Sequence, residues 1–186
     1  MSLFGKIYIT TGGYTYYLQA NGTGSPVVMS TTNPDYNLKI TSTNNSIGWK
    51  ILNIYPNDSN GIRDGGTSSY YLQINNSNQQ TDGLASYLVD SIQSKTSCPT
   101  QQSLSCISSD KTPCTNNPGC FYLQRTGKSG NGNVNILSYF NDDLYQLCWN
   151  SSEGNSSNPE FFVSDNITED LSNTYVCSFN IIYKNV

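Results

Sequence analysis

Histidine is absent from this 186-residue chain, and charged residues make up only 12% of it. Without histidine, the Ser-His-Asp and Cys-His arrangements that activate many nucleophilic enzymes cannot form. No P-loop, nucleophile-elbow or dinucleotide-binding pattern occurs either. The acidic pairs Asp142-Asp143 and Glu169-Asp170 lie in polar, turn-like sequence, which favours solvated loop charge over a glycosidase dyad. We therefore predict that the protein is not an enzyme and needs no cofactor.

Basic residues and long apolar runs are also scarce. Nine Lys and Arg are spread along a chain of net charge −4, so no basic face for nucleic acid can be built. No stretch approaches the roughly 18 consecutive apolar residues of a membrane span, so we expect no membrane insertion. Residues 1–11 lack the apolar core of a secretory signal peptide, so either the protein is made without a signal or Met1 marks a trimmed chain.

The residues that are abundant favour strands and turns. Asn, Ser, Thr and Gly supply most of the polarity, and these types compete with helical hydrogen bonding. Fourteen Tyr residues add strand propensity. Aromatic content and modest net charge both argue against disorder. The composition therefore predicts a folded, all-β protein, and its length fits a single domain over residues 1–186.

Six cysteines raise the question of disulfides, buried thiols or a metal site. They are Cys98, Cys106, Cys114, Cys120, Cys148 and Cys177. An even number in an Asn/Ser/Thr-rich chain favours disulfides, with buried free thiols as the alternative. No metal site is predicted, because the close cysteine pairs and histidines of zinc sites are missing. The first four lie in a Cys-rich loop, about residues 94–120, and disulfides there would favour an extracellular or otherwise oxidising compartment.

A motif of the form aromatic-Tyr-Leu-Gln occurs at 16–19, 70–73 and 121–124. An Asn- or Gly-containing stretch follows each copy, as expected for a strand that runs into a tight turn. The first and third copies continue in step, and the second diverges early. The spacing predicts three repeats, at approximately residues 1–56, 57–112 and 113–186.

Alternation along a strand assigns the residues of the motif to opposite faces. Leu18, Leu72 and Leu123 are predicted to point into the core. The Gln that follows each Leu faces the other way, where it can either satisfy turn backbone or contact a ligand. Both interpretations of the Gln residues stay open at this point.

The segments Pro26-Val27-Val28-Met29 and Gly48-Trp49-Lys50-Ile51, together with the motif, resemble the ricin-B-type lectin repeat. The resemblance covers most of the first and third repeats and implies a β-trefoil, with four strands per repeat around a pseudo-threefold axis. Two features depart from the family pattern. A Gln stands in each copy where that family carries Asp, and Ile47 stands where the Gln of its Q-x-W signature belongs.

The resemblance also implies a non-catalytic, lectin-like function, with glycans or a glycoprotein surface as the partner. Carbohydrate sites combine aromatic faces with amide and carboxylate groups, both of which this chain contains. The predicted carbohydrate-binding residues are Gln19, Asn33, Asp35, Tyr36, Gln73, Gln124, Tyr139, Asn141 and Asp143.

Two other functions fit the same sequence and would require a protein partner. Low charge and dense Ser, Thr and Asn fit a structural component, such as a coat or virion surface protein. A trefoil-type protease inhibitor could present the Cys-rich loop to the cleft of its target.

Overall fold

The computed structural model describes residues 2–19, 25–34, 36–42, 49–54, 71–79, 86–92, 121–125, 132–140, 143–151, 161–164 and 175–184. These residues form fourteen strands joined in one antiparallel sheet system. Within these ranges there is no helix, and hence none long and apolar enough to cross a membrane. The all-β prediction is confirmed.

The strands follow the chain in short segments. They are β1 (Ser2–Thr11), β2 (Tyr14–Gln19), β3 (Ser25–Pro26), β4 (Val28–Ser30), β5 (Leu38–Ser42), β6 (Trp49–Ile54), β7 (Tyr71–Gln79), β8 (Ser86–Ile92), β9 (Phe121–Arg125), β10 (Gly132–Phe140), β11 (Asp143–Asn150), β12 (Phe161–Ser164), β13 (Tyr175–Val176) and β14 (Phe179–Tyr183). Every pairing between them is antiparallel, which suits a chain rich in short turns.

The first hairpin illustrates how local sequence sets the structure. β1 and β2 are joined by Gly12 and Gly13, and Thr11 pairs with Tyr14 across the turn. Both glycines have positive φ, 59° and 81°. A two-residue turn of this kind matches the twist of the flanking strands, and glycine adopts it without a Cβ clash. The Gly-Gly pair therefore fixes the register of the hairpin.

Six of the described strands pair in a closed ring. β1 pairs with β5, β5 with β6 and β6 with β9, and β9 pairs in turn with β10. β10 pairs with β14, and β14 returns to β1. Closure leaves these strands without a free edge, which protects them against edge-to-edge association.

Three further strand pairs extend from this ring: β2 with β4, β7 with β8, and β11 with β12. β2 pairs with ring strand β1 and β11 with ring strand β10, while β7 lies beside ring strand β6. The three motif copies do not occupy matching places in this scheme. The first two fall on β2 and β7, outside the ring, whereas the third falls on ring strand β9.

The core lies inside the ring and beneath the attached strands. Its buried members are Ile7, Leu18, Val27, Met29, Leu38, Phe121, Leu123, Val134, Ile136, Tyr145, Leu147, Trp149, Phe179 and Ile181. The core positions predicted for Leu18 and Leu123 are confirmed, whereas the side chain of Leu72 lies outside the described residues. Alternation is clear in β14, where Phe179 and Ile181 are buried and Asn180 between them is not, whereas residues 145–150 of β11 are all buried.

A disulfide joins Cys148 of β11 to Cys177, which lies between β13 and β14. Cys148 is buried, and the adjoining residues of the two segments are register partners in the β11–β13 pairing. The disulfide prediction is therefore confirmed for this pair. The other four cysteines, and the predicted Cys-rich loop with them, lie outside the described residues.

Candidate functional site

The outer face of the β1–β2 hairpin carries polar and aromatic side chains. Ile7 of β1 is buried, and its neighbours Lys6 and Tyr8 are only half-buried and point to the opposite side. Tyr8 is the register partner of Tyr17 on β2, and their ring centroids are 6.1 Å apart. Hairpin geometry therefore places two tyrosines and a lysine side by side on the solvent side of the sheet.

The segment between β4 and β5 brings two predicted site residues to this face. The Lys6 ammonium donates a hydrogen bond to Asn33 Oδ1 at 2.7 Å and a longer one to the Pro34 carbonyl at 3.4 Å. The Lys6 Nζ atom also lies 5.0 Å from the ring centroid of Tyr36 and 5.5 Å from that of Tyr17. Lys6, Tyr17, Asn33 and Tyr36 thus form one group, called here the Lys6 cluster.

Contacts inside the Lys6 cluster explain its shape. A cation over the face of an aromatic ring is attracted by the ring quadrupole, so one ammonium group holds two tyrosines towards itself. An ammonium group can only donate, and it therefore fixes the oxygen of the Asn33 amide towards Lys6. The Asn33 Nδ2 group, with two N–H donors, is directed away from the lysine. Because Asn33 is exposed, those donors can reach a bound molecule.

Gln19 supports this segment from below. Its side chain is only 6% exposed, and Nε2 donates a 2.6 Å hydrogen bond to the Thr32 carbonyl. Asn37, the last residue before β5, donates a 2.9 Å hydrogen bond from Nδ2 to the Leu18 carbonyl. Gln19 therefore has the turn-backbone role that was one of its two sequence interpretations. Its contribution to a site would be to position Asn33 rather than to contact a ligand.

Of the predicted residues of the third repeat, Gln124 is the one whose side chain the structure describes. Gln124 is exposed, and its Oε1 accepts a 3.4 Å hydrogen bond from Asn135 Nδ2 on β10. Tyr139 lies four residues further along β10 than Asn135, or about 13 Å of strand.

The remaining predicted site residues fall where side-chain geometry is not described. Gln73, Tyr139 and Asp143 belong to strands β7, β10 and β11, but the positions of their side chains lie outside the described set. Asp35 and Asn141 lie outside the described residues altogether. Their predicted role in carbohydrate binding stays a prediction.

Sequence inspection missed Lys6, Tyr8 and Tyr17 as site residues. A signal for them was present, because Lys6-Ile7-Tyr8-Ile9-Thr10 alternates polar and apolar residues as a half-buried strand does. The alternation did not indicate which segment would pack against Lys6, because Asn33 is 27 positions away from Lys6 along the chain.

The Lys6 cluster presents groups that can bind a polar molecule. It offers two phenol rings, amide donors and one fixed positive charge, all at least partly open to solvent. In the part of the chain that the structure describes, no group of three or more His, Cys, Asp or Glu side chains is arranged to hold a metal ion. No protein-family model matches the chain, and no significant similarity to a curated protein or to a solved structure was found.

Proposed function

We propose that this protein is a non-catalytic carbohydrate-binding protein, and that its domain is a β-trefoil. The ring of six strands supports the fold, because each third of it would supply two ring strands and one outer strand pair. The thirds would then be residues 2–42, 49–125 and 132–183 rather than the repeats suggested by the motif spacing. An experimental structure in which β6 and β9 do not pair would contradict this arrangement.

The observation that carries the functional proposal is the Lys6 cluster. A pyranose ring presents an apolar C–H face and a rim of hydroxyl groups. The half-buried ring of Tyr36 can cover the apolar face, and the free donors of Asn33 can bond hydroxyl oxygens. Because Lys6 holds both side chains before any ligand arrives, little side-chain entropy would be lost on binding.

A glycan array probed with the full chain tests the proposal. We expect defined glycans to bind, and Tyr36→Ala to weaken binding about fivefold, since an aromatic contact contributes about 1 kcal/mol. Tyr36→Phe keeps the ring and should retain most of the affinity.

Tyr14→Ala is the matched control for this experiment. Tyr14 is 63% exposed and lies on the opposite face of the same hairpin, so its removal takes away an exposed aromatic ring outside the cluster. The glycan affinity of Tyr14→Ala should match that of the unaltered protein. Silence across a broad array, or equal losses in Tyr14→Ala and Tyr36→Ala, would reject carbohydrate binding at the Lys6 cluster.

A further inference from the structure

A row of side chains crosses four neighbouring strands beside the Lys6 cluster. Tyr17 on β2 pairs with Tyr8 on β1, Tyr8 pairs with Asn180 on β14, and Asn180 pairs with Asn133 on β10. Asn133 is exposed and the other three are half-buried. Their strand neighbours, such as Ile7 and those flanking Asn180, point into the core instead. The four residues of the row therefore share the solvent face.

A second row runs parallel to the first. Asn135 Nδ2 donates to Gln124 Oε1 across β9 and β10, and Asn135 Oδ1 accepts a 2.5 Å hydrogen bond from Ser178 Oγ. Across β14 from this group, the hydroxyls of Thr10 on β1 and Thr15 on β2 are 3.0 Å apart. These two polar groups are built alike, because each links side chains that lie on adjacent strands.

The register of β1 against β14 relates these two polar groups. The pairing of the two strands ends at Tyr8 and Asn180, and Thr10 and Ser178 lie two residues beyond that pair, on the same face by alternation. The second row therefore consists of two polar groups, one at β9 and β10 and the other at β1 and β2, separated by the end of β14.

Both rows are uncharged and longer than one sugar ring. Neighbouring strands are about 4.8 Å apart, so three strand steps take the first row about 14 Å from Tyr17 to Asn133. Two phenol groups, of Tyr17 and Tyr8, are followed along it by two amide groups, of Asn180 and Asn133. Lys6 lies at one end of the first row, and the side chains of the rows themselves carry no charge, so beyond the Lys6 cluster a charged polymer would find no counter-charge in them. A chain of neutral hydroxyl-bearing units would find donors and acceptors at every step.

We infer that this surface takes an extended, uncharged oligosaccharide that lies across the strands. This inference rests on the proposed carbohydrate-binding function. One sugar unit occupies the Lys6 cluster, and the following units lie over Tyr8, Asn180 and Asn133. The length of the rows, and not the cluster alone, then sets the preferred ligand.

Isothermal titration of the full chain with neutral oligosaccharides of increasing length tests this inference. The probes are cello-, malto-, manno- and chito-oligosaccharides, each from the monosaccharide to the hexasaccharide. We expect one series to gain at least about tenfold in affinity between the monosaccharide and the tetrasaccharide, as one or two added hydrogen bonds would supply. The gain should level off once the chain outgrows the rows.

Three variants test whether these residues cause the gain. Asn180→Ala and Thr10→Ala should remove most of the gain with length and leave monosaccharide affinity unchanged. Thr11→Ala is the matched control for Thr10→Ala, because it removes an exposed hydroxyl from the opposite face of the same strand. It should behave as the unaltered protein does.

The possible failures are distinguishable. Equal affinity for short and long members of every bound series would overturn the inference and leave carbohydrate binding intact. The inference is also overturned, with carbohydrate binding intact, if Asn180→Ala and Thr10→Ala keep the full gain in affinity with length and their thermal transitions show that both are folded. If no glycan binds on the array or in titration, the proposed function itself is wrong, and the inference falls with it. Chain-length dependence is measured on the unaltered protein, so it stands even if a variant does not fold.

Discussion

Removal of the Cys148–Cys177 disulfide should destabilise the protein by an amount that follows from its position. The bridge joins residues 29 positions apart. A disulfide that closes a loop of that length lowers the entropy of the unfolded chain and so adds about 3.5 kcal/mol to the free energy of unfolding. This lies between the values of about 3 kcal/mol for 15 residues and about 4.7 kcal/mol for 100. The substitution Cys148→Ala with Cys177→Ala removes the bridge and leaves the other four cysteines in place.

Contacts around the disulfide should keep the protein folded when the disulfide is removed. Gln146 Nε2 donates a 2.6 Å hydrogen bond to the Cys177 carbonyl, and Trp149 of the same strand is buried in the core. Both contacts hold β11 near the segment before β14 without any sulfur atom. We therefore expect a folded protein with a lower free energy of unfolding, and not a molten one.

Urea unfolding followed by aromatic fluorescence measures the effect. With a urea dependence of about 1–3 kcal/mol per molar, a loss of about 3.5 kcal/mol lowers the midpoint by more than about 1 M. Thr11→Ala, a substitution of an exposed residue on β1, should change the free energy of unfolding by no more than about 0.5 kcal/mol. A loss below about 1 kcal/mol in the bridge variant would refute the loop-entropy argument for this disulfide.

Two further predictions concern the hairpin and the segment that carries Asn33. Gly12→Ala should cost about 1–2 kcal/mol, because φ is +59° there and nothing crowds the new Cβ, whereas Gly12→Asn should cost less; equal losses in urea unfolding would contradict the backbone explanation. Gln19→Ala should lower stability by about 1 kcal/mol and also weaken glycan binding, since the Thr32 carbonyl loses its donor. Gln19→Glu should lose stability and glycan affinity as Gln19→Ala does, because a carboxylate cannot donate that bond. Unchanged glycan affinity in Gln19→Glu would show that the hydrogen bond is not needed.

The motif illustrates how far a repeated pattern can mislead about position. Its copies at 16–19 and 121–124 are nearly identical in sequence, and Leu18 and Leu123 are both buried. Yet one copy lies on β2, outside the ring, and the other on ring strand β9. A strand with one apolar face suits either place, because both cover the same core. The motif therefore predicted burial correctly and did not predict strand position.

Gln19 and Lys6 illustrate the same limit for the candidate site. The sequence selected Gln19 by its place in the motif, but burial gave it a backbone partner instead of an exposed surface. Lys6 was not selected, because the alternation around it indicates a half-buried strand and does not indicate which segment packs against that strand. Its partners Asn33 and Tyr36 reach it only after β4 and β5 have folded back against the hairpin.

The sequence by itself determined the all-β character and the inward-facing positions of Leu18 and Leu123, because both depend on propensity and two-residue alternation, which are local. It also determined the Gly12-Gly13 turn, whose positive φ values only a few residue types adopt without strain. The tertiary structure alone decided which strands pair, and with that the ring, the Lys6 cluster and the rows across β10, β14, β1 and β2. Pairing is non-local: β1 meets β14 from the other end of the chain, and no local pattern encodes that partner.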